Sequence, residues 1–172
     1  TLIRPLLGMS ESELKVWRRD FHNALDPNSR LILELVPELK PIIGEPPPIP
    51  GLEPQQAKVR FKFVLRNFIR LFANSEHPLV LFIDDLQWLD IATLDFIEDL
   101  LTQKDLRHLL LIGAYRDNEV GPEHPLTHKL RAIRDAGTRP HEIKLTPLSV
   151  GDAAQLVSDT LNCTLEQSRT LV

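Results

Sequence analysis

The run "LVLFI", residues 79–83, ends directly on Asp84 and Asp85, and it constrains this chain more than any other feature. Five apolar residues without polar alternation predict a strand buried on both faces, the pattern of a parallel sheet covered by helices. A second such run is "HLLLIGAY", residues 108–115. A third, "HEIKLTPL" at 141–148, alternates Ile143 and Leu145 with polar neighbours. Between the first two runs, Asp90 is placed to cap a helix carrying Leu94, Ile97, Leu100 and Leu101. Leu126, Leu130 and Ile133 mark a helix between the second and third. Ser149 and Asp152 have capping-box spacing and open a helix with Ala153, Leu156, Val157 and Leu161. Strand and helix therefore alternate, which predicts an α/β fold with three parallel strands joined by right-handed crossovers.

The first third of the chain reads differently. Ser10 and Glu13 form a capping-box pair, and Leu14, Trp17, Phe21 and Leu25 follow at helical intervals. Residues 37–54 hold half of the 14 prolines, so this segment is expected to be an extended connector. Its Ile42, Ile43 and Ile49 suggest that it packs on the surface of something. Phe61, Val64, Leu65, Phe68, Ile69 and Phe72 then repeat at helical spacing, with Lys58, Lys62, Arg66 and Arg70 on the other side. Such a basic stripe is expected to be a solvated face. The domain reading is a helical segment and proline-rich connector over 1–52, a core portion over 53–148, and a further helical part over 149–172.

Composition narrows the class. A length of 172 residues with 42% hydrophobic content suits one soluble domain. The net charge of −4 gives no general electrostatic case for nucleic acid, and no apolar run reaches membrane-span length. The single Cys163 rules out an internal disulfide and fits a reducing compartment, so a cytoplasmic location is expected.

In open parallel sheets, ligands sit outside the carboxyl ends of the strands. Asp84 and Asp85 occupy that end of the first strand, and "YRDN", residues 115–118, that of the second. If the strands are neighbours, two carboxylates and the Arg116 guanidinium converge, which suits Mg²⁺ carrying a phosphate. The plain alternative is that the aspartates only cap the following turn. His124 and His128 have ligand-like spacing but stand at a helix start, where a surface role outweighs zinc.

"LVLFIDDLQWLD" resembles the Walker B segment of P-loop NTPases, and more narrowly the AAA-type ATPase module of the STAND class found in large bacterial multidomain signalling kinases. "LLLIGAYRDNEV" is similar to that group's sensor 1 region, and "IKLTPLS" to its passage from the last core strand into a helical lid. The resemblance implies a partial three-layer P-loop sheet with a helical segment before it and the start of a lid over 149–172. It implies ATP and Mg²⁺ as cofactors. Asp84 would support Mg²⁺ through water, Asp85 would polarise the attacking water, Arg116 would sense the γ-phosphate, and Pro147 would lie at the nucleotide. Trp88 is expected to pack under the next helix. Arg131 and Arg134 offer an arginine finger or, more plainly, a solvated helix face. Kinase or sensor modules of the same polypeptide, and nucleotide-dependent self-association, are the expected partners.

A P-loop needs G-x-x-x-x-G-K-[ST], and none of the 7 glycines here precedes a lysine. The first core strand and phosphate cradle are therefore missing from this sequence. Without that strand, 141–145 should lose a hydrogen-bonded neighbour. The missing initiator Met and the truncated "TLEQSRTLV" tail favour a piece of a longer ATPase over a degenerate interaction module, and either is expected to bind nucleotide weakly or not at all and to be inactive alone. A carboxylate-metal hydrolase, with Asp117 or Glu119 as an added ligand, is the remaining reading.

Overall fold

The computed structural model describes residues 3–48, 51, 53–103 and 105–171, so Ile49 lies outside the described residues. The chain divides into two compact units, Thr1–Arg139 and Pro140–Val172, each taken by itself below.

The first unit begins with α1 (Arg4–Leu7) and α2 (Glu11–Leu25). The Ser10 hydroxyl accepts from the Glu13 amide, and the Glu13 carboxylate accepts from the Ser10 amide, so the capping box forms as the spacing predicts. After α3 (Ser29–Leu35), a short 3₁₀ helix at Pro37–Leu39 leads into α4 (Lys40–Ile43). The expectation of an extended connector therefore fails over residues 37–43. Pro37 and Pro41 both stand in the first turn of their helices, where a missing N–H costs nothing, and Ile42 and Ile43 are buried.

The long helix α5 (Pro54–Phe72) packs its apolar side on α2. Trp17 stacks on Phe72 with ring centroids 5.3 Å apart, and Phe21 lies 6.2 Å from both Phe68 and Phe72. Leu25, Ile32, Leu39 and Val64 complete this core.

Then follow β1 (Leu79–Ile83), α6 (Ile91–Thr102), β2 (Leu109–Gly113) and α7 (Pro125–Asp135). β1 and β2 pair in parallel, with Leu79 opposite Leu109 and Ile83 opposite Gly113. Asp90 caps α6 by accepting from the Thr93 amide. Leu86, Leu94, Ile97 and Leu126 form a second core, with Ile83 and Leu111 packed against it.

Among the described residues, the apolar side chains on one face of this sheet stay open. Val80, Phe82, Leu110 and Ile112 are 45–63% exposed, so the expectation of strands buried on both faces is corrected. An unalternated apolar run states what a strand can bury, and packing decides which faces are covered.

The basic stripe of α5 is also not merely solvated. Lys58 reaches Asp95 at 3.9 Å, Arg66 reaches Asp99 at 3.3 Å and Arg70 reaches Asp105 at 3.1 Å. Lys129 of α7 donates to both Asp95 and Glu98 at 2.7 Å. The acidic face of α6 thus ties α5 on one side and α7 on the other.

The second unit holds α8 (Val150–Leu161) and α9 (Leu165–Arg169). The Ser149–Asp152 capping box forms, as does a second one at Thr164–Gln167. Residues 141–148 are irregular, with Ile143 85% and Leu145 86% exposed, so the expected third strand is absent among the described residues. A strand persists only where its N–H and C=O groups meet a neighbour, and β1 and β2 pair with each other alone among those residues.

Candidate functional site at the carboxyl ends of the two strands

The site starts from how β1 ends. Asp85 adopts φ 52° and ψ 45°, a left-handed conformation that costs an L-residue energy and that Asp tolerates better than most. The turn allows the Leu86 amide to donate to the Ala114 carbonyl at 2.9 Å, while the Ala114 amide donates to Ile83 at 2.9 Å. The two strand exits are thereby held side by side beyond the regular ladder. Gly113 leaves room for Leu86 beneath the turn, since a Cβ there would stand 2.4 Å from Leu86 Cδ1 and the side chain would have to shift.

Asp84 is exposed, in step with Val80 and Phe82 on the open face, and its Oδ1 accepts from the Asp85 amide at 2.9 Å. Asp85 Oδ1 accepts from Gln87 Nε2 at 2.9 Å and lies 3.8 Å from Arg116 Nε. The buried Gln87 also reaches across the sheet, its Oε1 accepting from the Arg116 amide at 3.4 Å. The Arg116 guanidinium pairs with Glu119 at 3.3 Å and lies 5.4 Å from the centroid of the Trp88 ring. Trp88 Nε1 donates to the other Glu119 oxygen at 3.1 Å.

The structure therefore brings Asp85 and Arg116 together, with Asp84 adjacent in the chain. It shows no ion pair between Asp84 and Arg116 among the described residues. Pro147 belongs to the other unit. Trp88 does not pack under α6 as expected. It is 66% exposed and lies against Arg116, with its Nε1 donating to Glu119. Glu119, a candidate metal ligand by sequence, is engaged by Arg116 and Trp88. Gln87 was not foreseen. Its signal was present in "DDLQW", a polar residue between Leu86 and Trp88, but its partner lies 29 positions away.

Among the described residues, no three His, Cys, Asp or Glu side chains gather to hold a metal ion by themselves. The donor set still suits Mg²⁺, which keeps several waters and takes one or two carboxylates plus phosphate oxygens. It does not suit a structural Zn²⁺ site, which takes a closed set of four Cys or His ligands. The His124 ring caps α7, with Nδ1 accepting from the Leu126 amide at 3.1 Å.

Sequence comparison assigns the family. The profile of the AAA ATPase domain family matches residues 1–112, and the chain belongs to that family. The chain is also 31% identical, over 100 residues, to hybrid signal transduction histidine kinase G of Dictyostelium discoideum. The aligned part is 58% of this chain and 3% of that protein's length. No solved structure matches. Among the described residues, no helix is long and apolar enough to cross a membrane.

Proposed function

We propose that this chain supplies the Walker B and sensor 1 portion of an ATP-binding regulatory domain of the STAND type, within a signalling protein. Membership of the AAA ATPase domain family and similarity to a signalling histidine kinase support the class. The observation that carries the reading is the junction at the strand exits, where Asp85 and Arg116 stand 3.8 Å apart beside Asp84.

When bound, Mg²⁺ supplies charge for the phosphates. Asp84 would hold it through water, its Oδ1 already oriented by the Asp85 amide. Asp85 would orient and polarise a water, with Gln87 fixing its carboxylate. Arg116 would read the terminal phosphate, and Pro147 with residues 149–172 would contribute the start of the lid. The phosphate cradle is not encoded in these 172 residues, because no glycine precedes a lysine. Kinase or sensor modules of the same polypeptide would receive the nucleotide state.

The test is calorimetric titration of Mg-ATP into this chain and into a version carrying the in-frame coding sequence upstream. The expected result is weak or no binding by the chain and clear binding by the longer protein, with a G-x-x-x-x-G-K-[ST] in the added part. Tight Mg-ATP binding by the chain alone would contradict the reading. So would a longer protein with no such motif and no binding. That second outcome would favour the alternative, a non-catalytic interaction module on the same scaffold, for which the apolar open face of the sheet is the supporting observation.

A further inference from the structure

We propose that Glu119 and the Trp88 indole form a latch that parks Arg116 beside Asp85, so that an oligophosphate must displace Glu119 before Arg116 can receive it. The inference rests on the reading of Arg116 as the phosphate-sensing cation.

Arg116 is held at three points. Its Nη1 donates to Glu119 Oε1 at 3.3 Å, its Nε lies 3.8 Å from Asp85 Oδ1, and its Cζ lies 5.4 Å from the centroid of the Trp88 ring. Trp88 has one polar hydrogen, and it goes to the same carboxylate, Nε1 to Oε2 at 3.1 Å. Glu119 thus uses one oxygen for the cation and one for the indole. A backbone turn fixes the geometry, since the Glu119 amide donates to the Arg116 carbonyl at 3.1 Å. The carboxylate therefore sets where the ring lies, and ring and carboxylate together set where the guanidinium lies.

The charge count matters as much as the geometry. Two carboxylates, Asp85 and Glu119, face one guanidinium, so an approaching phosphate meets a locally negative group. The Arg116 side chain is 59% exposed, which keeps it reachable, and a solvent-exposed pair of this kind contributes only about two- to fivefold to an equilibrium. An anion carrying several charges can outcompete Glu119, and when it does the Trp88 N–H loses its acceptor. Glu119 and Trp88 are positioning residues that act through Arg116.

The experiment is titration of inorganic triphosphate into the 172-residue chain at constant ionic strength, followed by the Trp88 indole ¹H–¹⁵N resonance. The wild type should show a saturable shift. Glu119→Gln should bind the anion about two- to fivefold more tightly, and Arg116→Ala should abolish the saturable response. If Arg116→Ala binds as well as wild type, the phosphate-sensing role falls, and the latch with it. If Arg116 is required but Glu119→Gln binds no more tightly, the latch alone is overturned. If Glu119→Gln shows no saturable binding, freeing Arg116 creates no anion site, and the latch is likewise overturned.

Discussion

Gly113→Ala tests whether packing beneath the Asp84–Asp85 turn sets the site. The added Cβ would lie 2.4 Å from Leu86 Cδ1 and 3.3 Å from Cγ. Normal carbon contacts fall at about 3.5–4.0 Å, so the Leu86 side chain must retreat by roughly 1 Å. It has little room, being buried against Leu94, Ile97 and Leu126. Overpacking of this kind costs about 1–3 kcal/mol, partly offset by the roughly 0.5–1 kcal/mol that Ala gains over Gly in a strand. Taking the middle of each range, the expected net loss is about 1 kcal/mol, which for a chain of this size lowers Tm by roughly 2–4 °C. Circular dichroism on heating measures it. Leu86→Ala alone should cost about 2–5 kcal/mol. The double variant should cost less than the sum, because the shortened side chain accepts the new methyl. A Gly113→Ala protein as stable as wild type, or strictly additive costs, would refute the reasoning.

Other perturbations separate the remaining parts of the account. Phe21→Ala should cost about 3–5 kcal/mol in urea unfolding, because Phe21 is fully buried among Trp17, Phe68 and Phe72. Phe82→Ser, at a residue 63% exposed, should stay within about 1 kcal/mol of wild type, and a larger loss would show that the open sheet face is covered. Lys129→Met should destabilise most at intermediate pH. The hydrogen bond from Lys129 holds the Asp95 carboxyl below its usual range, and the bonds from Asp95 and then Glu98 hold Lys129 above its own. The Asp95 contribution is present above the unfolded value of about 3.9 and is lost as pH falls through the lower folded one. The Lys129 contribution is present below about 10.4 and is lost as pH rises through the raised folded value. The gap between Lys129→Met and wild type in denaturant unfolding should therefore close at both extremes of pH. A gap independent of pH would remove the ion triad from the account.

Local chemistry was legible in the sequence, and partner choice was not. The Ser10–Glu13 and Ser149–Asp152 boxes, the Asp90 cap and the apolar spacing of α5 depend on residues within a few positions of one another, and each forms as read. The two apolar runs gave the strands and their exits. Whether a strand has a neighbour or a covered face depends on distant chain, so the pattern at 141–148 misled, as did the two-sided burial of β1. Proline content points to an extended segment, yet Pro37 and Pro41 begin helical turns, a position that composition alone does not distinguish. The Arg66–Asp99 and Trp88–Glu119 contacts span 33 and 31 positions, and no spacing rule reaches that far. Of the convergence of Asp84, Asp85 and Arg116 that the strand ends suggest, the approach of Asp85 to Arg116 forms and no Asp84–Arg116 ion pair does among the described residues, because neighbouring parallel strands fix where their exits lie but not where each side chain turns.

The proposal that the two strand exits carry one magnesium–phosphate locus is tested most directly by relaxation mapping with Mn²⁺-ATP on the ¹⁵N-labelled chain, since paramagnetic broadening detects even weak binding. The strongest broadening should fall on the amides of Asp84, Asp85 and Arg116 together and should vanish in Asp84→Asn. Broadening centred instead on the acidic face of α6 at Asp95, Glu98 and Asp99, or at residue 84 without residue 116, would contradict a shared site.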